Sequence, residues 1–587
     1  MIDFLVGNDS LLFILFALAG WLVALNGSLK SFLHLLQLED YEAGRMLRIL
    51  TQQPRRLKLL GPELTALPVL LILVKVLFWS GLGAESSFAD IFGRRIVDET
   101  WAPAWFIWGA GCFWRAWRMH RVSRLAKKPL VMTARAKRIL WLGFGLSILI
   151  TILLSTFISL IRFYTIRYEF GAELYILSIP WAAVFWITIF GIMYLVERAA
   201  PLSLTLSVMM LKPFEFIVQQ RYLSDARKIL DRINPIVIGV TGSYGKTGTK
   251  EILSAMLAEK YNVFRPPGSY NTLMGVTRVV REQMRPYHEV FVVEMGAYRI
   301  GSIDRLSRLV KPKHGIITII GVQHLERFKT RDNIKTAKGE LIRALPQDGI
   351  AVLNSDDEAC REIGADFQGN VTWFSLSKPG NDGDTLFVEN IRIGADGSDF
   401  DIDYPDGERQ SVHLSLLGRS AVANAAAAAA MADRLGVPRA GIKRALANMS
   451  HVRHRLEPIR REGGITVLDD AFNSNPVGAR NALEVLAAAK DGRRILVTPG
   501  MIELGSLEAK ANREFGSLAA QACDLVVLIG EKRIEPIRQG LLENRFNPDR
   551  ILVVESLNEG LERLKSYLQP GDTMLLENDL PDQYDGT

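Results

Sequence analysis

The sequence predicts an α-helical transmembrane bundle followed by α/β structure built on parallel sheets. Three observations lead there. Hydrophobic residues make up 49% of the 587 and concentrate before about residue 200. After Asn234-Pro235 the chain changes to short β-branched runs separated by helical segments, the alternation of a doubly wound α/β unit. A glycine turn then lies between the first of those runs and a helix. At roughly 150 residues per domain, this length gives three or four units. Cys112, Cys360 and Cys523 lie far apart with no CxxC pair, which excludes a disulfide scaffold and a cysteine-ligated zinc site.

A hydrocarbon core of about 30 Å needs around 20 apolar residues in a helix. Five windows qualify, at residues 10–25, 64–82, 101–117, 139–161 and 175–196; the third is short, tryptophan-rich and carries Arg115 near its end, so four spans is the alternative. Lys and Arg gather in cytoplasmic loops. Lys30, Arg45, Arg48, Arg55, Arg56 and Lys58 follow the first window, and eight cations fall between Arg118 and Arg138, whereas residues 84–100 and 162–174 carry two each. The alternation places the N-terminus outside and everything after Val196 in the cytoplasm. A loop facing anionic lipid accounts for the +7 net charge better than nucleic acid does. Lys75, inside the second window, receives no role. Residues 201–232 read as an interfacial or connecting helix.

Ile236 to Val240 reads as a buried strand, Thr241 to Gly245 as a glycine turn and Lys246 onward as a helix, the context of a phosphate-binding P-loop. Gly242 and Gly245 let backbone N–H groups, with that of Ser243 between them, approach phosphate oxygens. Lys246 supplies charge and the Thr247 hydroxyl suits Mg²⁺. Val240 stands where the general pattern has glycine, leaving the shorter form G-S-Y-G-K-T.

The segment G-V-T-G-S-Y-G-K-T-G-T-K-E resembles the ATP-binding loop of the Mur ligases, which form amide bonds at the expense of ATP in bacterial peptidoglycan synthesis. Later segments agree in order. Asn271 in S-Y-N-T-L-M-G matches an asparagine near the phosphates. Glu294 in V-V-E-M-G and His324 in T-I-I-G-V-Q-H-L-E-R-F resemble Mg²⁺ ligands, and Lys338 in A-K-G-E matches the lysine that becomes a carbamate. Singly, each has a bland reading: a surface carboxylate, a loop histidine, a solvated lysine. The ordered set fits an acyl phosphate chemistry that must hold two anions together, with one Mg²⁺ at Thr247 and Glu294 and a second at His324 and carbamylated Lys338.

Further on, A-V-L-N-S-D-D (354–357) resembles a strand end of the family's central domain. G-R-S-A-V-A-N-A places Asn424 at an adenine-contacting asparagine, H-V-R-H-R-L-E places Arg455 at an arginine approaching the γ-phosphate, and L-D-D-A-F-N-S-N-P places Asp470 at a ribose- or hinge-contacting aspartate. T-P-G-M-I-E-L-G resembles the branch that adds D-alanyl-D-alanine. The resemblance implies a central ATP-binding domain at 233–450 and a Rossmann-like C-terminal domain at 451–587, after a transmembrane domain at 1–200. Lys246, Lys338, His324 and Arg455 would be catalytic.

Two departures stand out. Apolar windows occupy the place of the family's soluble UDP-sugar-binding domain, and the C-terminus reads M-L-L-E-N-D-L where that branch has a lysine-glycine-serine turn. The expected protein is a multi-pass ligase of the bacterial inner membrane that uses ATP and Mg²⁺. It would join a lipid-linked or polymeric carboxylate to an amino acid or peptide amine, beside membrane lipid and other envelope-synthesis proteins, without nucleic acid. A poly-γ-glutamate synthase and a transporter or scaffold regulated by ATP are the alternatives.

Overall fold

The computed structural model describes residues 8–38, 41–52, 101–124, 130–169, 178–322, 325–377, 384–394, 396–471, 474–502, 504–530 and 533–578. The second apolar window with Lys75, the cations Arg55, Arg56 and Lys58, and His324 lie outside these residues. The chain divides into two compact units, Met1–Val218 and Gln219–Thr587.

The first unit is helical: α1 (Asn8–Leu38), α2 (Ala43–Gln52), α3 (Trp101–Arg124), α4 (Ala134–Glu169), α5 (Ser178–Arg198) and the first half of α6 (Ala200–Ile233). Gly20 on α1 and Gly109 on α3 let the two backbones touch, since a Cβ on Gly20 would lie 2.6 Å from the Gly109 carbonyl oxygen. Small residues at such crossings are how apolar helices pack closely. Inside the unit Arg115 pairs with Glu197 at 2.8 Å, and Ser28 donates to the same carboxylate at 3.2 Å. The outer face of α4 carries Trp141, Ile152, Leu153 and Phe157, all more than half exposed.

Among the described residues three helices are long and apolar enough to cross a membrane: Ile14–Leu38, Ala134–Ile161 and Ala200–Ile233. The first and last differ from the sequence expectation. Helix α1 runs well past Leu25, so Lys30 is a helical residue rather than a loop residue. The 201–232 stretch belongs to one continuous 34-residue helix, apolar in its first half, with Pro213 inside it. Over 201–232 the sequence leads to an interfacial or connecting helix, and the residues are helical throughout. The second half is amphipathic, and Leu223, Ala226 and Leu230 pack with Val237, Phe291 and Val293 in the core of the second unit.

The second unit holds two sheets. The larger has the order β2-β3-β1-β4-β5-β6-β7-β8-β9, with β1 at Ile236–Thr241, β2 at Val263–Phe264, β3 at Val290–Glu294, β4 at His314–Ile317, β5 at Ile350–Asn354, β6 at Asn370–Ser375, β7 at Thr385–Ile393, β8 at Ser398–Asp403 and β9 at Arg409–Leu414. Pairings are parallel through β7, and β7-β8-β9 is an antiparallel extension. The smaller has the order β10-β11-β15-β12-β13-β14, with β10 at Glu457–Arg461, β11 at Ile465–Asp470, β12 at Arg494–Thr498, β13 at Leu525–Ile529, β14 at Ile551–Val554 and β15 at Thr573–Glu577. Only its β10-β11 edge is antiparallel.

The helices that matter for the site are α7 (Lys246–Leu257), α8 (Leu273–Gln283), α9 (Ser302–Val310), α10 (Arg331–Arg343), α11 (Glu358–Ala365), α12 (Arg419–Arg434) and α13 (Pro476–Ala487). Strands β1 and β3 are continuous apolar runs buried on both faces, as parallel strands covered by helices must be. The alanines 425–430 of α12 are all buried and pack in one core with Ile252, Met256 and Val352.

Candidate active site

Ligands of open α/β sheets collect at the carboxyl ends of the strands, and the site begins where β1 ends. Thr241 Oγ1 donates to the Met295 carbonyl at 2.8 Å, tying the ends of β1 and β3 together. The chain then turns through Gly242 (φ 147°) and Gly245 (φ 82°) into α7. These angles belong to glycine, and a Cβ on Gly245 would collide with the Asn424 amide. Lys246 Nζ folds back onto the carbonyls of Gly242 at 2.8 Å and Ser243 at 3.1 Å. Burial lowers its pKa to about 8; Glu294 opposes the shift and Arg455 adds to it.

Glu294 ends β3 and is 2% exposed. Both of its oxygens are held, Oε2 by Thr247 Oγ1 at 2.8 Å and Oε1 by Asn271 Nδ2 at 2.8 Å. The loop after β4 is stitched to the glycine turn. Ser243 Oγ donates to the Gly321 carbonyl at 2.9 Å and accepts from Gly321 N–H at 3.0 Å, and Asp357, the N-cap of α11, accepts from Ile320 N–H at 2.6 Å. Lys338 on α10 is 3% exposed. Burial pushes its amine far below the usual lysine range and the charge on Lys246 pushes the same way, while Glu294 and Glu340 oppose. Two residues along, Glu340 caps α9 by accepting the backbone N–H groups of Gly301, Ile303 and Asp304.

Arg455 lies between two residues in the left-handed region, His454 (φ 59°) and Leu456 (φ 50°). Such angles cost a non-glycine residue roughly 1–2 kcal/mol each. They are held by His454 Nδ1 against Asp469 at 2.8 Å and by Leu456 N–H donating to Asp470 Oδ1 at 3.1 Å. A cleft of about 320 Å³ gathers Ser243, Gly245, Lys246, Thr247, Asn271, Glu294, Lys338, Asn424, Arg455 and Asp470. Gly242 stands behind it, since added bulk there would meet Thr318.

The Mur ligase middle domain matches residues 240–432, and the Mur ligase glutamate ligase domain matches residues 454–577. The UDP-N-acetylmuramoyl-tripeptide–D-alanyl-D-alanine ligase of Mycobacterium tuberculosis (strain H37Rv) is 32% identical over 362 residues, 58% of this chain and 70% of that protein. The chain belongs to the Mur ligase family. It is accordingly an ATP-dependent carboxylate–amine ligase. The enzyme of the same name from Bacillus subtilis (strain 168) is 29% identical over 354 residues, covering 60% of this chain and 75% of that one. Among solved structures, MurF ligase from Thermotoga maritima in complex with ADP superposes with a TM-score of 0.54 at 26% identity, covering 62% of this chain and 80% of that one.

In this Mur ligase, Asn424 lies against the glycine loop: its Oδ1 accepts from Thr249 Oγ1 at 3.2 Å, and its amide fills the space beside Gly245 and Gly248. Of the residues lining the cleft Asn481 is not singled out by the sequence, nor are two buried acids outside its lining, Glu340 and Glu577. Glu340 stood in the quoted A-K-G-E as a carboxylate on a helix, which was the available signal. Asn481 donates nothing to any motif, yet its Oδ1 accepts from Ser420 N–H at 3.0 Å across the cleft. Glu577 lay in the divergent C-terminal turn.

Proposed function

We propose that this Mur ligase is held at a membrane by its N-terminal helices and builds a cell-envelope precursor. ATP would convert a substrate carboxylate to an acyl phosphate, and an amine would displace the phosphate to form an amide. The observation that carries this reading is the single cleft in which Lys246, Glu294, Lys338 and Arg455 converge. Lys246 and Arg455 hold phosphate charge against the loop and from the C-terminal side, respectively, so catalysis is mainly positioning and charge neutralisation.

Thr247 and Glu294 present hard oxygens to the cleft, the donor type Mg²⁺ takes. A buried amine kept largely uncharged, as at Lys338, is nucleophilic toward CO₂; the resulting carbamate, with His324, would complete a second site. Bound Mg²⁺ supplies the positive charge that lets two anions approach. The relatives support a muramoyl-peptide carboxylate and a dipeptide amine. The exposed apolar face of α4 supports a carboxylate presented on lipid.

The test uses full-length protein in detergent with Mg-ATP. Candidate carboxylates are UDP-linked muramoyl tripeptide, its lipid-linked form and polyglutamate; products are identified by mass spectrometry. An amide formed one-to-one with ADP from the lipid-linked substrate is expected. Full turnover with the soluble UDP-linked substrate and none with the lipid-linked one would refute the membrane-presented carboxylate, and amide formation on polyglutamate alone would move the enzyme to polymer synthesis.

A further inference from the structure

Helices α1, α3 and α5 run in one direction. Gly20 meets Gly109 and Gly27 meets Ala116, so the contacts advance seven residues on both α1 and α3. Trp21 Nε1 donates to the Met193 carbonyl on α5, and Ser28, further along α1, reaches Glu197, further along α5. The C-terminal ends of the three helices therefore share one side of the unit, the side that the loop cations assign to the cytoplasm. Over residues 28–38, 108–121 and 190–198 that side carries Lys30, Arg115, Arg118, Arg121 and Arg198 against one acid, Glu197. Arg118 and Arg121 lie over the exposed rings of Trp114 and Trp117, each at 5.6 Å, which is the composition of an interfacial aromatic belt.

Arg115 differs from its neighbours. It precedes Arg118 by three residues, about 4.5 Å of helix rise, and is 1% exposed. Its Nη2 is used twice, by Glu197 Oε2 at 2.8 Å and by the Cys112 sulfur at 3.2 Å. Its Nε and Nη1 meet no acceptor among the described residues, and neither does Nε1 of Trp108, which is also 1% exposed. Two helical turns separate the two residues, but a helical side chain leans toward the N-terminus, and the Arg115 guanidinium carbon comes within 5.9 Å of the Trp108 ring centre. Buried donors without acceptors are costly in apolar surroundings. Glu197 does not turn to them, because Ser28 holds its Oε1 and Arg115 Nη2 its Oε2. An oxyanion, with several lone pairs, satisfies such a set at once, and the surplus of cations offsets its charge beside Glu197. Headgroup phosphates lie level with the aromatic belt, less than one helical turn from Arg115.

We infer that Arg115 and Trp108 bind the phosphate of an anionic lipid at the cytoplasmic side of the helical unit, with Glu197 and Ser28 fixing the guanidinium. The inference rests on the membrane reading above. The phosphate accepts from Arg115 Nε and Nη1 and from Trp108 Nε1, while Nη2 stays on Glu197, so the ion pair supports the site instead of competing for it. The ligand class is a phosphate ester on long hydrocarbon chains.

Full-length protein in detergent is titrated with phosphatidic acid and, separately, with diacylglycerol of the same acyl chains, and bound lipid is counted by native mass spectrometry. One phosphatidic acid per chain is expected, held at least about 10-fold more tightly than diacylglycerol. Trp108→Phe keeps an aromatic ring against Phe190, whose centre lies 4.7 Å away, and removes the indole N–H; its affinity for phosphatidic acid falls by about 10-fold, as for loss of a hydrogen bond to a charged group. Arg115→Gln combined with Glu197→Gln leaves no unpaired charge buried and abolishes the preference, with thermal midpoints showing that both variants fold. Inorganic phosphate leaves the bound lipid in place; displacement at a concentration equal to that of the lipid assigns the donors to a free anion and overturns the lipid source. Equal binding of the two lipids by the unaltered protein, or an undiminished preference in both variants, overturns the inference alone. Failure of the unaltered protein to float with phosphatidylcholine vesicles overturns the membrane reading and the inference with it.

Discussion

Asn481→Ala removes the acceptor that Ser420 N–H finds across the cleft. Helix α12 starts at Gly418, which has no side chain to cap it, and its first turn is capped from α13 instead. Gly418 has φ 88°, and a Cβ there would lie 2.6 Å from Asn481 Oδ1, so the glycine and the asparagine fit as a pair. Loss of a helix cap costs about 1 kcal/mol, and an N–H left unpaired in a partly buried position costs about 1–3 kcal/mol. The interaction joins the central and C-terminal lobes of the unit, so a loss of about 1–2 kcal/mol should appear as a roughly 5- to 30-fold shift toward an open cleft. KM for ATP should rise by about that factor, and amide hydrogen exchange in residues 419–422 should quicken. Asn481→Asp keeps the acceptor and places negative charge at a helix N-terminus, which adds about 0.3–1 kcal/mol; it should match or exceed the native residue. Unchanged exchange and KM in Asn481→Ala would refute the cross-cleft cap, as would an Asp variant no better than Ala.

Lys338→Ala should lower amide formation by on the order of 100-fold, with partial recovery in small carboxylates such as acetate that occupy the vacated space; activity undiminished and insensitive to bicarbonate would rule out a carbamate. Glu340→Gln leaves one acceptor oxygen where two now serve three backbone N–H groups, so at least one N–H faces an amide NH2 group, and the change should destabilise the protein by about 2–3 kcal/mol, measured as a fall in Tm. His314 is 4% exposed on β4, its Nδ1 accepts from Ile350 N–H at 3.1 Å, and burial lowers its pKa from 6.5 to about 4. Between those pH values the unfolded chain binds the extra proton, so stability falls as pH drops from 6.5 to 4, by about 3 kcal/mol. Denaturation midpoints of His314→Asn should lose most of that slope.

The sequence carried the parts of the site that are local. The strand, glycine turn and helix around Lys246 need only a dozen neighbouring residues, and Glu294 is visible as a carboxylate closing a β-branched run. Their meeting through Thr247 follows because β1 and β3 pair in register. Asn481 was invisible for the opposite reason: its partner is 61 residues away on another lobe, and an asparagine on a helix carries no periodic or spacing signal. Glu577 appeared as a departure from a turn, but Asp470 came to stand beside it only once β11 and β15 paired. The helix at 201–232 is legible from composition, but the burial of its stripe Leu223, Ala226 and Leu230 is not, because the partners Val237, Phe291 and Val293 come from strands elsewhere in the sequence.

The alanine run of α12 has a consequence for how the centre of the unit orders itself. Residues 425–430 are at most 2% exposed, and an alanine side chain has no rotamers to lose when it is buried. A helix of leucines there would surrender freedom at every position, whereas this one arrives with its side chains already in their final state and with the strongest intrinsic helix preference. The same economy removes tolerance. The two methyl groups added by Ala428→Val must find room in a core shared with Ile252, Met256 and Val352, so the substitution should shift α12 and disturb the glycine loop through Asn424.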